Sequence, residues 1–214
     1  LNKKTRTPIP FQDYQRISRV IKTVVDGVEG NTARACIFFA IVGASILEAV
    51  YKKSCLPLAG NAYYAVDPTA ENVVAFANVD RDGNTVGSGA FHCWIQCEEH
   101  IIDFMAPIFQ ESVASAGLAM KVPRKMFQKP LRSMSVSVRD LQREGDYYVE
   151  HNVALTQSIF DDFLSKNHTQ DLAQICLHWF QKPPKNMPKT FSMQDDLGER
   201  YDMTLASLDL VGAW

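Results

Sequence analysis

Between positions 90 and 104 the chain reads AFHCWIQCEEHIIDF, which gathers two histidines, two cysteines, two glutamates and an aspartate. Residues of these types can hold a metal, exchange electrons as a dithiol, or supply a base with its orienting carboxylate. Their spacing discriminates between these. Read as a strand, AFHCWIQC sends His92, Trp94 and Gln96 to one face and Phe91, Cys93, Ile95 and Cys97 to the other. The second set is apolar, thiols included, and belongs to the core. If the chain turns back tightly at Cys97 and Glu98, Asp103 of HIIDF lies across from His92; a wider turn leaves it a diagonal neighbour. An aspartate beside an imidazole fixes which ring nitrogen carries the proton and raises its basicity.

A base so placed needs a nucleophile from elsewhere in the chain, and Cys36 is the candidate. It falls in the first turns of an apolar helix that follows Gly30. There the positive end of the helix dipole and free backbone N–H groups favour thiolate. A neighbouring imidazole lowers the thiol pKa further and readies the sulfur for attack on a carbonyl carbon. Donors for the resulting oxyanion are expected from the Cys36 backbone N–H and the Asn31 side chain, with Gln96 as the weaker alternative. Trp94, on the His92 face, is expected to line the cleft.

Two other chemistries compete. His92, Cys93, Cys97 and His100 are all zinc-compatible, but alternation parts His92 from Cys93, and the two sulfurs lack the close knuckle spacing of structural zinc sites. Cys93 and Cys97 lie roughly 13 Å apart on an extended strand, beyond disulfide reach. The bland readings are an inert buried cysteine, a satisfied core histidine, and an aspartate that caps a turn or pairs with a lysine.

These residues depend on the elements that carry them. FQDYQRISRVIKTVVDGV (11–28) has the periodicity of a one-sided helix, and residues 33–53 form a helix apolar nearly all round, hence central. Gly43 inside it marks a close approach. NAYYAV, VVAFANV, GAFHCWIQC and HIIDF follow as short strands, with a turn at DRDGN and a loop over 57–61. A short helix is expected near 107–115, a loop over 119–132 and a strand at MSVSVRDL. Helices follow at 152–166 and from Asp171, its proposed cap; LASLDLV pairs with a sheet or forms a strap. Helices followed by antiparallel strands and more helices indicate an α+β fold. The 214 residues fit one domain, divided into an N-terminal helix (11–30), a core (31–105) and a C-terminal extension (106–214).

A formal net charge of -2 gives no long-range attraction to nucleic acid or anionic membrane. The longest apolar run, ACIFFAIVGASILEAVY, is short for a membrane span and carries Glu48. No cofactor motif of the GxGxxG or GxxxxGK kind occurs, so no cofactor is expected. The expected partner, which follows from Cys36 and His92 rather than from composition, is a small-molecule amide or peptide substrate; no nucleic acid or membrane partner is expected, and oligomeric state is left open. Five cysteines, an odd number, without a secretory leader point to a reducing, cytoplasmic setting and against a disulfide scaffold.

Cys36 opening a buried helix, His92 followed at one residue by Trp94, and Asp103 on the next strand resemble the papain-like cysteine fold in its transglutaminase-like branch. The likeness spans about residues 30–105. It implies a central helix packed on an antiparallel sheet with flanking helices, with Cys36 as nucleophile, His92 as base and Asp103 orienting it. It also implies a hydrolase or acyltransferase that passes an amide or peptide-like acyl group through a thioester. ARACIFF lacks the tryptophan that often follows the nucleophile, and Asp103 is followed by FMAP rather than a proline and threonine. Those departures leave the substrate class open and keep a non-catalytic binding or structural role as the rival function, while His92, Cys93, Cys97 and His100 keep a zinc protein as a second. The whole chain also resembles an uncharacterised bacterial family related to this superfamily.

Overall fold

The computed structural model describes residues 7–28, 30–32, 35–77 and 90–214. In chain order the elements are α1 (Phe11–Gly27), α2 (Cys36–Tyr51), β1 (Cys55–Ala65), β2 (Val73–Phe76), β3 (His92–Cys97), β4 (His100–Asp103), α3 (Phe109–Ser115), β5 (Phe127–Pro130), β6 (Tyr147–His151), α4 (Val153–Ser165), α5 (Asn167–Trp179), β7 (Thr190–Gln194) and β8 (Arg200–Thr204). The α+β expectation holds, and DRDGN lies outside the described residues.

Helix α1 buries the stripe Ile17, Val20, Ile21 and Val24, whereas α2 is apolar round most of its surface because it has neighbours on several sides. It lies against α1 and α5 on one side and against β1 and β3 on the other. Gly43 allows that contact. A Cβ there would lie 2.3 Å from Phe104 Cδ2 and 2.9 Å from Ile95 Cδ1.

Strands β1 to β6 form one antiparallel sheet, ordered β2-β1-β3-β4-β5 with β6 also paired to β1; β7 and β8 form a separate hairpin. Gly60 pairs with both His92 and His151, and Ala62 with both Phe76 and Val149. So β6 runs along one edge of β1, while β3 and β2 lie end to end along the other. That arrangement sets Phe76 beside His92. Gly60 has no room for a side chain, since a Cβ would lie 2.0 Å from the Glu150 carbonyl oxygen.

The segment 57–61, expected as loop, is the first half of β1. Pro57 is tolerated because β1 pairs only with β3 at that point, so its missing N–H costs no ladder bond on the open edge. The start of α4 covers that edge. Thr156 Oγ1 accepts from the Ala59 N–H at 3.0 Å, and the Asn152 N–H donates to the Ala59 carbonyl at 2.9 Å. Within the expected 119–132 loop, β5 pairs with β4 and buries Phe127. MSVSVRDL is not a strand: Val136 and Val138 face solvent, and Ser137 Oγ bonds the Asp140 carboxylate in a local turn. Helix α5 begins at Asn167, so Asp171 is not its cap; Asn152 does cap α4, accepting from the Leu155 N–H at 2.9 Å. The 205–211 strap lies on α1, where Arg19 and Gln15 bond the carbonyls of Ala206 and Leu208.

Against the expectation of a reduced chain, one disulfide is present. Cys55 and Cys97 face each other on β1 and β3, Cα atoms 4.2 Å apart, and are joined as a disulfide. Their 42-residue separation hides the pairing from inspection of spacing, and an odd cysteine count does not exclude one bridge. Among the described residues no helix is long and apolar enough to cross a membrane.

Gly43→Ala gains about 1 kcal/mol of helix propensity but forces a methyl into Phe104, which is buried and cannot yield. Overpacking costs about 1–3 kcal/mol, which leaves a net loss of up to about 2 kcal/mol expected in urea denaturation. A variant more stable than the parent would contradict the close approach.

Candidate active site

The β3–β4 hairpin closes with Cys97 opposite His100, leaving Glu98 and Glu99 as the turn. The tight register set out above is shifted by two residues, so Asp103 is level with Trp94 and diagonal to His92. The side chains still meet: His92 Nε2 is 2.7 Å from Asp103 Oδ2. Asp103 is held on every side. Tyr64 Oη donates to Oδ2 at 3.0 Å, the Met105 N–H donates to Oδ1 at 2.9 Å, and Tyr14 Oη donates to the backbone carbonyl.

The imidazole is fully buried in an aromatic box. Phe76 stacks on it at 4.3 Å between centroids, and Tyr64 and Phe109 present edges at 5.9 and 5.6 Å. Nε2 is committed to Asp103, and among the described residues Nδ1 has no hydrogen-bond partner. Burial by itself would favour the neutral ring. The charge and hydrogen bond of Asp103, followed by Cys36, outweigh it and raise the His92 pKa to about 10.

Cys36 is the first residue of α2, beside both His92 and Cys93. Its thiol is held well below the ordinary range, most strongly by a hydrogen bond from the Cys93 side chain. Burial opposes this, and the positive charge of the neighbouring His92 imidazolium adds to it. Cys93 is pushed up in turn by that same bond and by burial. The free N–H groups of a helix's first turn lie next to this sulfur. Ile37, Ala40, Ile41, Leu58, Cys93 and Phe160 are among the lining of a small apolar crevice of about 10 Å³ between α2, β1, β3 and α4.

Cys36, His92 and Asp103 are therefore brought together; the supporting residues are placed differently. Asn31 is exposed in the loop before α2. Gln96 is level with Ile101, roughly 13 Å of extended strand from His92, which removes it as an oxyanion donor. Trp94 is 1% exposed and paired with Leu58, a core residue rather than the wall of an open cleft. Tyr64, Tyr14 and Phe76 escaped sequence reasoning. Their roles follow from β1 register and from α1 packing, for which an aromatic residue in a strand or helix gives no separate signal. The four zinc-compatible side chains are dispersed: Cys97 is bonded to Cys55 and His92 to Asp103. Among the described residues no three histidine, cysteine or acidic side chains are grouped to hold a metal ion.

Alkylation of Cys36 by iodoacetamide should rise with pH through a step well below the ordinary thiol value of about 8.5. At pH 6 it should exceed a free thiol of ordinary pKa by about tenfold or more. Cys93→Ala and His92→Ala should each move the step upward, since both residues lower the Cys36 thiol. An unshifted profile in both variants, read by mass spectrometry of the labelled peptide, would contradict this electrostatic account.

A solved structure described as "The crystal structure of genomics APC5867" is similar to the chain, with a TM-score of 0.86 and 34% identity over 100% of both chains. No curated protein matches. Residues 10–214 match the family described as "Protein of unknown function (DUF2026)". The chain belongs to the DUF2026 family.

Proposed function

We propose that this protein is a cysteine-dependent hydrolase or acyltransferase that carries an amide or peptide-like acyl group as a thioester on Cys36. The observation that supports this is His92 lying between a thiol of depressed pKa and a carboxylate fixed by two further donors. The papain-like resemblance of the sequence points the same way.

With the thiol pKa lowered and the imidazole pKa raised to about 10, the resting pair at neutral pH is thiolate and imidazolium. The thiolate attacks the carbonyl carbon, a C–S bond forms, and the carbonyl π electrons move onto oxygen. Backbone N–H groups at the start of α2 are the donors nearest that oxyanion. As the intermediate collapses, the C–N bond breaks and His92 gives its proton to the leaving amine. The neutral ring then takes a proton from water or from a second amine as it attacks the thioester. Asp103 stabilises the imidazolium throughout, and the box of Phe76, Tyr64 and Phe109 keeps water from weakening the pair.

Intact-mass analysis after mixing with p-nitrophenyl acetate is the direct test. An acetyl adduct on Cys36 is expected, absent in Cys36→Ala and formed about 10²–10⁴-fold more slowly in His92→Ala. Adduct distributed among several cysteines, or none on folded protein, would leave the non-catalytic binding role as the better reading.

A further inference from the structure

Three cysteines remain free when Cys55 and Cys97 are joined. Cys176 is alone in the core, its thiol pushed up by burial. The other two are in contact. Cys36, Ala40 and Gly43 share one face of α2 at spacings of four and three. Cys93 and Ile95 share the face of β3 turned toward that helix. Gly43 packs on Ile95, and Ala40 lines the same crevice as Cys93. One turn further back, Cys36 therefore lies beside Cys93, and each thiol shifts the ionisation of the other.

We propose that Cys36 and Cys93 form an oxidisable pair, in which a hydroperoxide converts Cys36 to a sulfenic acid and Cys93 closes it to a Cys36–Cys93 disulfide. In the first step the Cys36 thiolate attacks the distal oxygen of hydrogen peroxide. The O–O bond breaks, sulfur gains an OH group, and hydroxide leaves to be protonated to water. In the second step the Cys93 sulfur attacks the sulfenic sulfur, the S–O bond breaks, and the Cys93 proton leaves with the hydroxyl as water. Two electrons pass from the pair of thiols to one peroxide. A disulfide requires the sulfurs to close to about 2.05 Å. Cys93 is anchored in the sheet, so the movement falls to the first turn of α2, where helix geometry is least constrained. Of the two thiols Cys36 is the less enclosed, with 7% exposure against 4% for Cys93.

The pair also determines where oxidation stops. A sulfenic acid without a thiol partner proceeds to sulfinic acid and is lost, whereas a disulfide is restored by reductant. This chemistry asks only for a thiolate and a neighbouring thiol. It stands or falls independently of acyl transfer.

Titrating the full chain with hydrogen peroxide tests it. Accessible thiols, counted under denaturing conditions, should fall from the three free cysteines to one. Dithiothreitol should restore the two that were lost, and non-reducing peptide mapping should find Cys36 linked to Cys93. Cys36 should be consumed about tenfold faster than Cys176, or more. In Cys93→Ser, Cys36 should stop as a sulfenic acid captured by dimedone and then pass to sulfinic acid. Should Cys93→Ser fail to fold, mapping of the wild-type chain decides by itself. The proposal is overturned if Cys93 can still be alkylated after Cys36 has reacted, or if Cys36 reacts no faster than Cys176.

Discussion

The hydrogen bond between His92 and Asp103 governs the rest of this structure. Two ionisable groups with almost no solvent exposure pay a large desolvation penalty, and their mutual attraction offsets it only when the remaining polar atoms are satisfied. Much of the fold provides that satisfaction. Helix α1 supplies Tyr14, β1 supplies Tyr64, the turn after β4 supplies the Met105 N–H, and β2 supplies the ring that stacks on the imidazole. One histidine nitrogen is left over, on a ring that also feels the sulfur opening α2. A buried ion pair is weak as a source of stability. Its retention here makes sense as a device that fixes the charge and aim of a reactive group.

Electrostatics at the helix mouth depends on three participants. The largest single cause of the depressed Cys36 thiol comes from Cys93, which strand alternation assigns to the opposite face from His92. Both reach the same sulfur because α2 begins where β3 begins, so a residue at the helix end meets neighbours from either side of the strand. A thiol that donates to a thiolate stabilises it without adding charge, and its own ionisation is suppressed as a consequence.

The parts legible in the sequence were those encoded locally. The stripe of α1, the all-round apolarity of α2, the Gly43 approach and the two faces of β3 are written in periodicities of a few residues. So was the pairing of His92 with Asp103, because one short turn joins their strands. What stayed hidden required long-range register. Phe76 beside His92, Tyr64 on Asp103 and Cys55 opposite Cys97 all depend on how β1 lies between β3, β2 and β6, and alternation within a strand does not say which partner it meets. The β5 strand was obscured by Pro130 and flanking basic residues. MSVSVRDL carried alternation without a core to face. Gln96 and Trp94 had the correct face but the wrong distance or depth, which a face argument cannot resolve.

The contact of α4 with Ala59 has a consequence for self-association. The first half of β1 would otherwise present a bare row of amides, the kind of template onto which a strand from another molecule can zip. Thr156 and Asn152 occupy that row, and Pro57 interrupts it further. Unwinding a single turn at the beginning of α4 would convert a sealed margin into an adhesive one, so the helix that borders the crevice also guards the chain against polymerising through its own sheet.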